Sequence, residues 1–337
     1  MRRTSGGGPC PTRGAAGRML SRLSSRPPTR ALIRRFPPGI LGMLPVALLG
    51  GCELQEVTVV DVPDVIVVEA YAVVGESDAI LRAFLGRTVG GASQRTVTAA
   101  RVRVTREDGT LFELEEVEVE ECMLEGGTEL RGTCYLGGPD AAGLRPGDAL
   151  ALRVELPDGR VLEGDTRIPG DFAIEGESTL CRMEADTPYE LRWSRSAGAH
   201  TYVNETVITG LDEALGPEGI EAPRDLYLLG LSVSDADTTI VFPAEFGVFE
   251  RFDLDRPLAQ RLQLGLPPGT HASVAISAAD RNYVNWARGG NFNPSGPVRV
   301  PSIRGDGTGV FGSVVTRQLL TYVLESGDGA LCAGAMK

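Results

Sequence analysis

The side chains best suited to acid–base or nucleophilic chemistry are few in this chain. His200 and His271 are the two imidazole groups available near neutral pH. The sequence has no G-x-S-x-G, H-E-x-x-H or G-x-x-x-x-G-K motif, and its single lysine is Lys337. A Schiff-base or phosphate-binding lysine elsewhere is therefore excluded. We predict no catalytic residue, and we interpret both histidines as surface or edge residues of strands.

Carboxylates are abundant, because the chain has 45 Asp and Glu residues. The densest run alternates with Leu114, Val117 and Val119, which indicates the solvated face of a strand. This run comprises Glu113, Glu115, Glu116, Glu118, Glu120 and Glu121. Calcium ligation is the alternative, with Asp235-Ala-Asp237 and Asp253-Leu-Asp255 as further oxygen ligands. Since no segment has the spacing of a twelve-residue calcium loop, we predict no metal ligands and no cofactor.

The cysteines divide into two in the amino-terminal region and four beyond it, which are Cys122, Cys134, Cys181 and Cys332. In an exported protein these four are expected to form disulfides, and no C-x-x-C pair favours zinc. Three pairings are open. We favour Cys122–Cys134, which brackets a short Gly-rich loop, together with Cys181–Cys332, which joins the start of the carboxy-terminal half to its end.

The amino-terminal 51 residues carry nine arginines and no acidic residue. They end in an uncharged apolar run, 40–51, which is too short to cross about 30 Å of hydrocarbon. This arrangement predicts a secretory signal peptide with a long basic leader, covering residues 1–51. All acidic residues follow it, so the remaining chain is strongly acidic and nucleic acid is excluded as a partner.

The segment Leu49-Gly50-Gly51-Cys52 resembles the lipobox of bacterial lipoproteins. The resemblance implies that the Cys52 thiol takes a diacylglycerol, that cleavage precedes it, and that the new amino terminus receives an acyl chain such as palmitate. Several acyl chains give stable membrane anchoring. We therefore expect a membrane-anchored protein of the cell envelope, at the outer membrane, with 52–63 as a tether. An ordinary signal peptide that leaves a free thiol is the alternative.

From Val65 onward the sequence is rich in β-branched residues and short alternating segments. Hairpin turns are predicted at Asp108-Gly109 and at Pro157-Asp158-Gly159, and a β-bulge at Glu115-Glu116, where the apolar positions change parity. About seven short strands predict an all-β fold, with an immunoglobulin-like β-sandwich over 64–168.

A second β-sandwich is predicted over 172–325, followed by a tail over 326–337. Its segments around Trp193 and Tyr202 resemble the core strands of fibronectin type III domains. A short helix is expected from Asp280 to Arg288, with Asp280 as its cap and Gly289 at its end. A long loop rich in Gly, Pro and Asn follows over 289–309.

The lipobox, the Val-rich strand 65–74, the hairpin at Asp108-Gly109 and the segment Asp306-Gly-Thr-Gly-Val-Phe-Gly312 together resemble an uncharacterised family of bacterial lipoproteins, domain of unknown function 4249. The resemblance extends over most of 52–325, and its most specific part is the Gly-Val-Phe-Gly segment. It implies an envelope lipoprotein, often associated with outer-membrane nutrient-uptake receptors. It transfers no catalytic residue.

Aromatic and amide side chains flank the long loop and suit contact with a sugar or a protein. These predicted partner-contact residues are Tyr283, Trp286, Asn291 and Phe292. Core packing of Trp286 is the alternative.

The sequence thus predicts a non-catalytic binding or structural accessory, with an outer-membrane transport receptor or a glycan as its partner. A surface hydrolase of glycans or peptides that uses carboxylates, with or without calcium, is the alternative function.

Overall fold

Alternation of buried and solvent-facing residues shapes most of the described chain. A computed structural model describes residues 65–88, 96–122, 132–176, 179–245, 256–288, 299–324 and 329–336. The signal peptide, Cys52 and the tether lie outside these residues. In the first strand, Val68, Ala70 and Ala72 are buried while Glu69 and Tyr71 lie on the opposite face, as the two-residue period of a strand requires.

The described elements are mainly strands. The strands are β1 Ile66–Val74, β2 Ala79–Arg87, β3 Arg101–Arg106, β4 Leu111–Val117, β5 Thr133–Gly137, β6 Ala149–Glu155, β7 Val161–Arg167, β8 Leu180–Met183, β9 Tyr189–Arg192, β10 Thr201–Thr209, β11 Asp225–Leu231, β12 Thr239–Phe242, β13 His271–Ala279, β14 Arg304–Gly305 and β15 Gly307–Val323. The helices are α1 Val119–Cys122, α2 Leu211–Leu215, α3 Arg256–Leu262 and α4 Arg281–Arg288, with 3-10 turns at Pro139–Gly143 and Gly216–Glu218. Within the described ranges, none of these helices is long and apolar enough to span a bilayer.

Most of the strands belong to one sheet, in the order β11-β10-β13-β15-β1-β2-β5-β4-β3-β6-β7-β14, with β8 also paired to β15. The strands β9 and β12 form a separate pair. The predicted all-β class is therefore confirmed. The sheet folds back on itself, so that Thr166 Oγ1 in β7 lies 2.8 Å from Ser313 Oγ in β15 across the buried interior.

The long strand β15 links the two predicted sandwiches. Its first half, Gly307 to Val315, pairs in parallel with β1, and its second half pairs antiparallel with β13. The predicted boundary between 168 and 172 thus lies between β7 and β8 without dividing the sheet, and all described strands fall in one compact unit, Val59–Lys337. A strand from the second predicted domain completes the first, because the free edge of β1 needs a hydrogen-bonding partner.

Arg317 in β15 fastens the connection between the two halves of the sheet. Its guanidinium donates to the carbonyl of Gly75 at 3.1 Å and to the carbonyl of Phe172 at 3.1 Å. It also forms an ion pair with Asp171. The segment where the two predicted domains meet, 168–172, is therefore held against the turn between β1 and β2.

The predicted hairpins are confirmed, and the predicted bulge is wrong. The turns at Asp108-Gly109 and Asp158-Gly159 join β3 to β4 and β6 to β7, both antiparallel. In contrast, β4 pairs residue by residue with β5 through Glu115 and Glu116. The apolar parity changes there because Val117 packs against a small separate cluster of Phe84, Cys122 and Cys134.

Both favoured disulfides are present in the structure, Cys122–Cys134 and Cys181–Cys332. Their Cα atoms lie 6.2 Å and 5.0 Å apart, within the range that a disulfide spans. The second bridge fixes the carboxy-terminal segment, where Leu331 forms a bridge to Arg182 in β8 and Ala335 forms one to Tyr189 in β9. The described part of the predicted tail is thus an additional edge of the β structure.

Candidate functional site

A cleft of about 780 Å³ lies on one face of five neighbouring strands, β10, β13, β15, β1 and β2. The pairing register of these strands aligns the side chains that line the cleft in rows across the sheet. Tyr71 lies opposite Arg82, and Glu205 lies opposite Ala275, which in turn lies opposite Gln318. These residues come from distant parts of the chain and share a face only because their strands are adjacent.

Helix α4 forms one wall of the cleft through Tyr283 and Trp286. The rings of Tyr71 and Tyr283 meet edge to face with centroids 5.7 Å apart, a favourable aromatic geometry. The helix approaches the sheet closely at Gly312, where a Cβ atom would lie 3.0 Å from the Cα and Cβ of Tyr283. The last glycine of the Gly-Val-Phe-Gly segment thus leaves room for this wall.

Asp280 caps α4, as the sequence predicts, and also fixes the helix to the sheet. Its Oδ1 accepts hydrogen bonds from the backbone N–H of Tyr283 at 2.8 Å and of Ser313 at 3.2 Å. Its Oδ2 accepts a bond of 2.6 Å from the Thr166 hydroxyl. Burial raises the pKa of this carboxyl, and the same hydrogen bonds offset part of that increase.

Replacing Asp280 by Ala removes the acceptor of three hydrogen bonds that join α4 to the sheet, so we expect a loss of about 3 kcal/mol in the free energy of unfolding. Asp280→Asn is the matched control, because its carbonyl oxygen keeps both backbone bonds. Urea denaturation measures the free energy of unfolding of both variants. Equal stability of Asp280→Ala and the wild type would contradict the assigned role.

The stability of the folded protein should depend on pH through the Asp280 carboxyl. The folded pKa of Asp280 lies above its ordinary value of 3.8, so the penalty for burying its charge is absent below that value. The penalty appears as pH rises through the folded pKa. The stability of the wild type relative to Asp280→Asn should therefore fall as pH increases from 3.8 through the folded pKa of Asp280.

Arg82 and Glu205 carry opposite charges and both line the floor of the cleft, but they form no direct ion pair with each other. Burial lowers the pKa of Arg82, and nearby Tyr283, Tyr71 and Glu205 counteract this shift. Glu205 is open to the cleft, yet the surrounding protein removes enough water to raise its pKa, with Arg82 acting in the opposite direction. One nitrogen of Arg82, Nη1, donates to the carbonyl of Cys122 at 3.1 Å.

Two buried N–H groups beside the cleft have no acceptor among the described residues. These are Nε of Arg82 and Nε1 of Trp286. The Trp286 side chain is only 8% exposed, and the guanidinium of Arg299 lies over its ring at 4.7 Å in a cation–π contact. Arg299 also pairs with Glu69 at 2.9 Å.

The phenol groups of Tyr71 and Tyr283 lose their protons only well above neutral pH. Burial raises the pKa of Tyr283 to about 12, with Glu205 contributing in the same direction. Burial raises the pKa of Tyr71 well above its ordinary value, assisted by Glu69 and Tyr283. Both hydroxyls are therefore protonated at neutral pH and can donate or accept hydrogen bonds.

The structure brings only part of the predicted site together. Tyr283 and Trp286 both line the cleft. Trp286 is largely buried, as the packing alternative expects, and contact of either residue with a partner stays a prediction. Asn291 and Phe292 lie outside the described residues, as does Cys52. His200 and His271 are exposed at strand ends, away from the residues that line the cleft.

The cleft residues that the sequence interpretation missed are Glu69, Tyr71, Arg82, Glu205 and Arg299. The alternation of β1 was a usable signal, since it already places Glu69 and Tyr71 on one face. Nothing local marks Arg82 or Glu205, because their proximity depends on strand order. Among the described residues, no group of three His, Cys, Asp or Glu side chains is arranged to hold a metal ion.

Comparisons with known proteins add little to these observations. No family model matches the chain, and no curated protein matches it. Among solved structures, the chain is similar to fibronectin(III)-like modules of CbhA from Clostridium thermocellum, with 10% identity, 76% of this chain and 94% of that chain covered, and a TM-score of 0.18. It is also similar to a DUF4785 family protein from Legionella pneumophila, with 12% identity, 62% and 51% covered, and a TM-score of 0.17. These TM-scores are too low to support a fold assignment. The all-β class is therefore assigned from the strands of this chain alone.

Proposed function

We propose that this protein is an envelope lipoprotein, anchored at the outer membrane through Cys52, that acts as a non-catalytic binding or structural accessory of a transport receptor. The observation that carries the binding role is the cleft on the five-strand face, where charged and aromatic side chains converge. A pocket of this size with a few convergent polar groups is the usual form of a ligand site.

The location is supported by the sequence. The basic leader, the short apolar run and the Leu49-Gly50-Gly51-Cys52 segment have the order of a lipoprotein signal. The similarity to the domain of unknown function 4249 family agrees with this assignment, and we propose membership of that family. Acyl chains contribute about 0.8 kcal/mol per buried methylene, so several chains hold a folded domain at the membrane.

Mass spectrometry of the protein purified from membranes tests the anchor. We expect an amino-terminal Cys52 that carries diacylglycerol and an additional acyl chain. Cys52→Ala should abolish the modification and remove the mature protein from the membrane fraction, whereas Cys10→Ala, in the leader, should change neither. An unmodified Cys52 in the native protein would contradict the lipoprotein assignment.

Co-purification tests the accessory role. The full-length protein is cross-linked in cells, solubilised in detergent and purified, with a Cys52→Ala preparation as the control. We expect a specific outer-membrane receptor that is absent from the control. Its consistent absence argues against the receptor partnership.

A hydrolase is the second candidate, and one observation favours it. Glu205 and Glu69 line the same cleft in different environments, since burial raises the pKa of Glu205 while Glu69 is paired with Arg299. Many glycoside hydrolases use two carboxyl groups that flank the scissile bond, and the surroundings of one of them keep it protonated. Turnover of a glycan or peptide substrate that Glu205→Gln abolishes would establish this candidate, and its response to a chelator would show whether calcium takes part.

A further inference from the structure

Two residues that line the cleft, Arg82 and Trp286, each have an N–H group with no hydrogen-bond partner among the described residues. Arg82 Nε and Trp286 Nε1 are buried N–H donors without acceptors in the described part of the chain. An unsatisfied buried donor costs about 1–3 kcal/mol. Both atoms are enclosed by the protein, so they are not the donors that a ligand meets. Arg82 itself lines the cleft, and its guanidinium has further N–H groups that can donate to a ligand oxygen.

Acceptors lie on the same floor. Glu205 is separated from Arg82 by β13, β15 and β1 in the sheet order, and the two form no direct ion pair. A ligand that spans them must accept hydrogen bonds at one end and donate them at the other. Hydroxyl groups do both with a single oxygen atom.

The charge of the cleft limits the ligand further. Its described lining includes four carboxylates, Glu69, Glu76, Asp78 and Glu205, against the two guanidinium groups of Arg82 and Arg299. This excess of negative charge disfavours an anionic ligand, because like charges repel in a partly desolvated site.

Aromatic side chains supply apolar surface between these polar groups. Tyr71 and Tyr283 contribute ring edges and hydroxyls at one end of the floor. Rings of this kind combine a large contact area with a polar tip. They suit a ligand with both apolar C–H faces and many hydroxyls.

We propose that the cleft binds a neutral oligosaccharide, with Arg82 and Glu205 as the hydrogen-bonding ends of the site. The proposal rests on the proposed binding function and names the ligand class of that same cleft. A volume of about 780 Å³ accommodates several sugar rings, since ligand sites commonly measure about 300–1,000 Å³.

The test uses intrinsic fluorescence of the full-length protein in detergent. The chain has two tryptophans, and Trp193 packs in the core against Tyr202 at 5.4 Å. A Trp193→Phe background therefore leaves Trp286 as the reporter of the cleft. The probes are cellotetraose, xylotetraose, mannotetraose and maltotetraose, with tetragalacturonate and tetra-alanine as the anionic and peptide comparators.

We expect saturable binding of at least one neutral tetrasaccharide. Arg82→Met and Glu205→Gln should each weaken it by about tenfold or more. Arg101→Met and Glu113→Gln, on exposed positions of β3 and β4, are the matched controls and should leave it unchanged. Circular dichroism confirms that each variant is folded.

Three outcomes overturn the proposal: no saturable binding of a neutral sugar up to about 10 mM, preference for tetragalacturonate or tetra-alanine, or sugar binding that the cleft variants do not affect. In each case, co-purification of a receptor would still support the accessory role. If neither a sugar nor a receptor binds, the proposed function fails as well.

Discussion

Gly309→Ala is expected to prevent the chain from reaching its folded state. Gly309 has a φ of +136° and lies opposite Val68 in the parallel pairing of β1 and β15. An added Cβ would lie 2.8 Å from both the backbone nitrogen and the carbonyl carbon of Val68, and still closer to its carbonyl oxygen. Neither backbone can move without breaking the sheet, so we expect a cost above about 5 kcal/mol.

The measurement is the yield of soluble, protease-resistant protein, followed by urea denaturation where enough is recovered. Gly143→Ala is the matched control. Gly143 is an exposed residue at the end of a 3-10 turn, and an added Cβ there meets nothing within 4 Å. A Gly309→Ala protein as stable as the control would show that β15 does not run against β1 in this register.

Removing the Cys181–Cys332 bridge is expected to have the second largest effect. The bridge closes a loop of 151 residues, whereas Cys122–Cys134 closes one of 12. Because the entropy that a crosslink removes from the unfolded chain increases with loop length, we expect a loss of roughly 5 kcal/mol for the long loop and about 3 kcal/mol for the short one.

The two bridges serve as controls for each other. Each is removed by a double Cys→Ser substitution, and urea denaturation of the purified proteins measures the free energy of unfolding. Only the Cys181→Ser, Cys332→Ser variant should also make the segment 329–336 accessible to protease, since that bridge holds the segment against β8 and β9. A larger loss from the short loop would contradict the chain-entropy explanation.

Part of the candidate site could be predicted from the sequence. The helix that presents Tyr283 and Trp286 was predicted from its cap at Asp280 and the glycine that follows it, both local signals. Arg82 and Glu205 carried no comparable signal. They lie in unremarkable strands more than a hundred residues apart, and only the order β10-β13-β15-β1-β2 places them on one floor.

The prediction of two domains also missed a pairing between strands that are far apart in the chain. The boundary near 168–172 follows a real interruption between β7 and β8. However, the partner of the first strand is supplied by Gly307 to Val315, near the other end of the chain. Turn residues report where strands end, whereas the pairing of remote strands depends on which edges remain free after the local hairpins form.

The sequence by itself determined the all-β class, the hairpin turns, the capped helix and the cysteines available for pairing, because each depends on a few neighbouring residues. Only the tertiary structure decided that one long strand serves both halves of the sheet and that a cleft opens on its face. The physical reason is that backbone hydrogen bonds and side-chain burial between strands far apart in the chain leave no periodic pattern in the sequence.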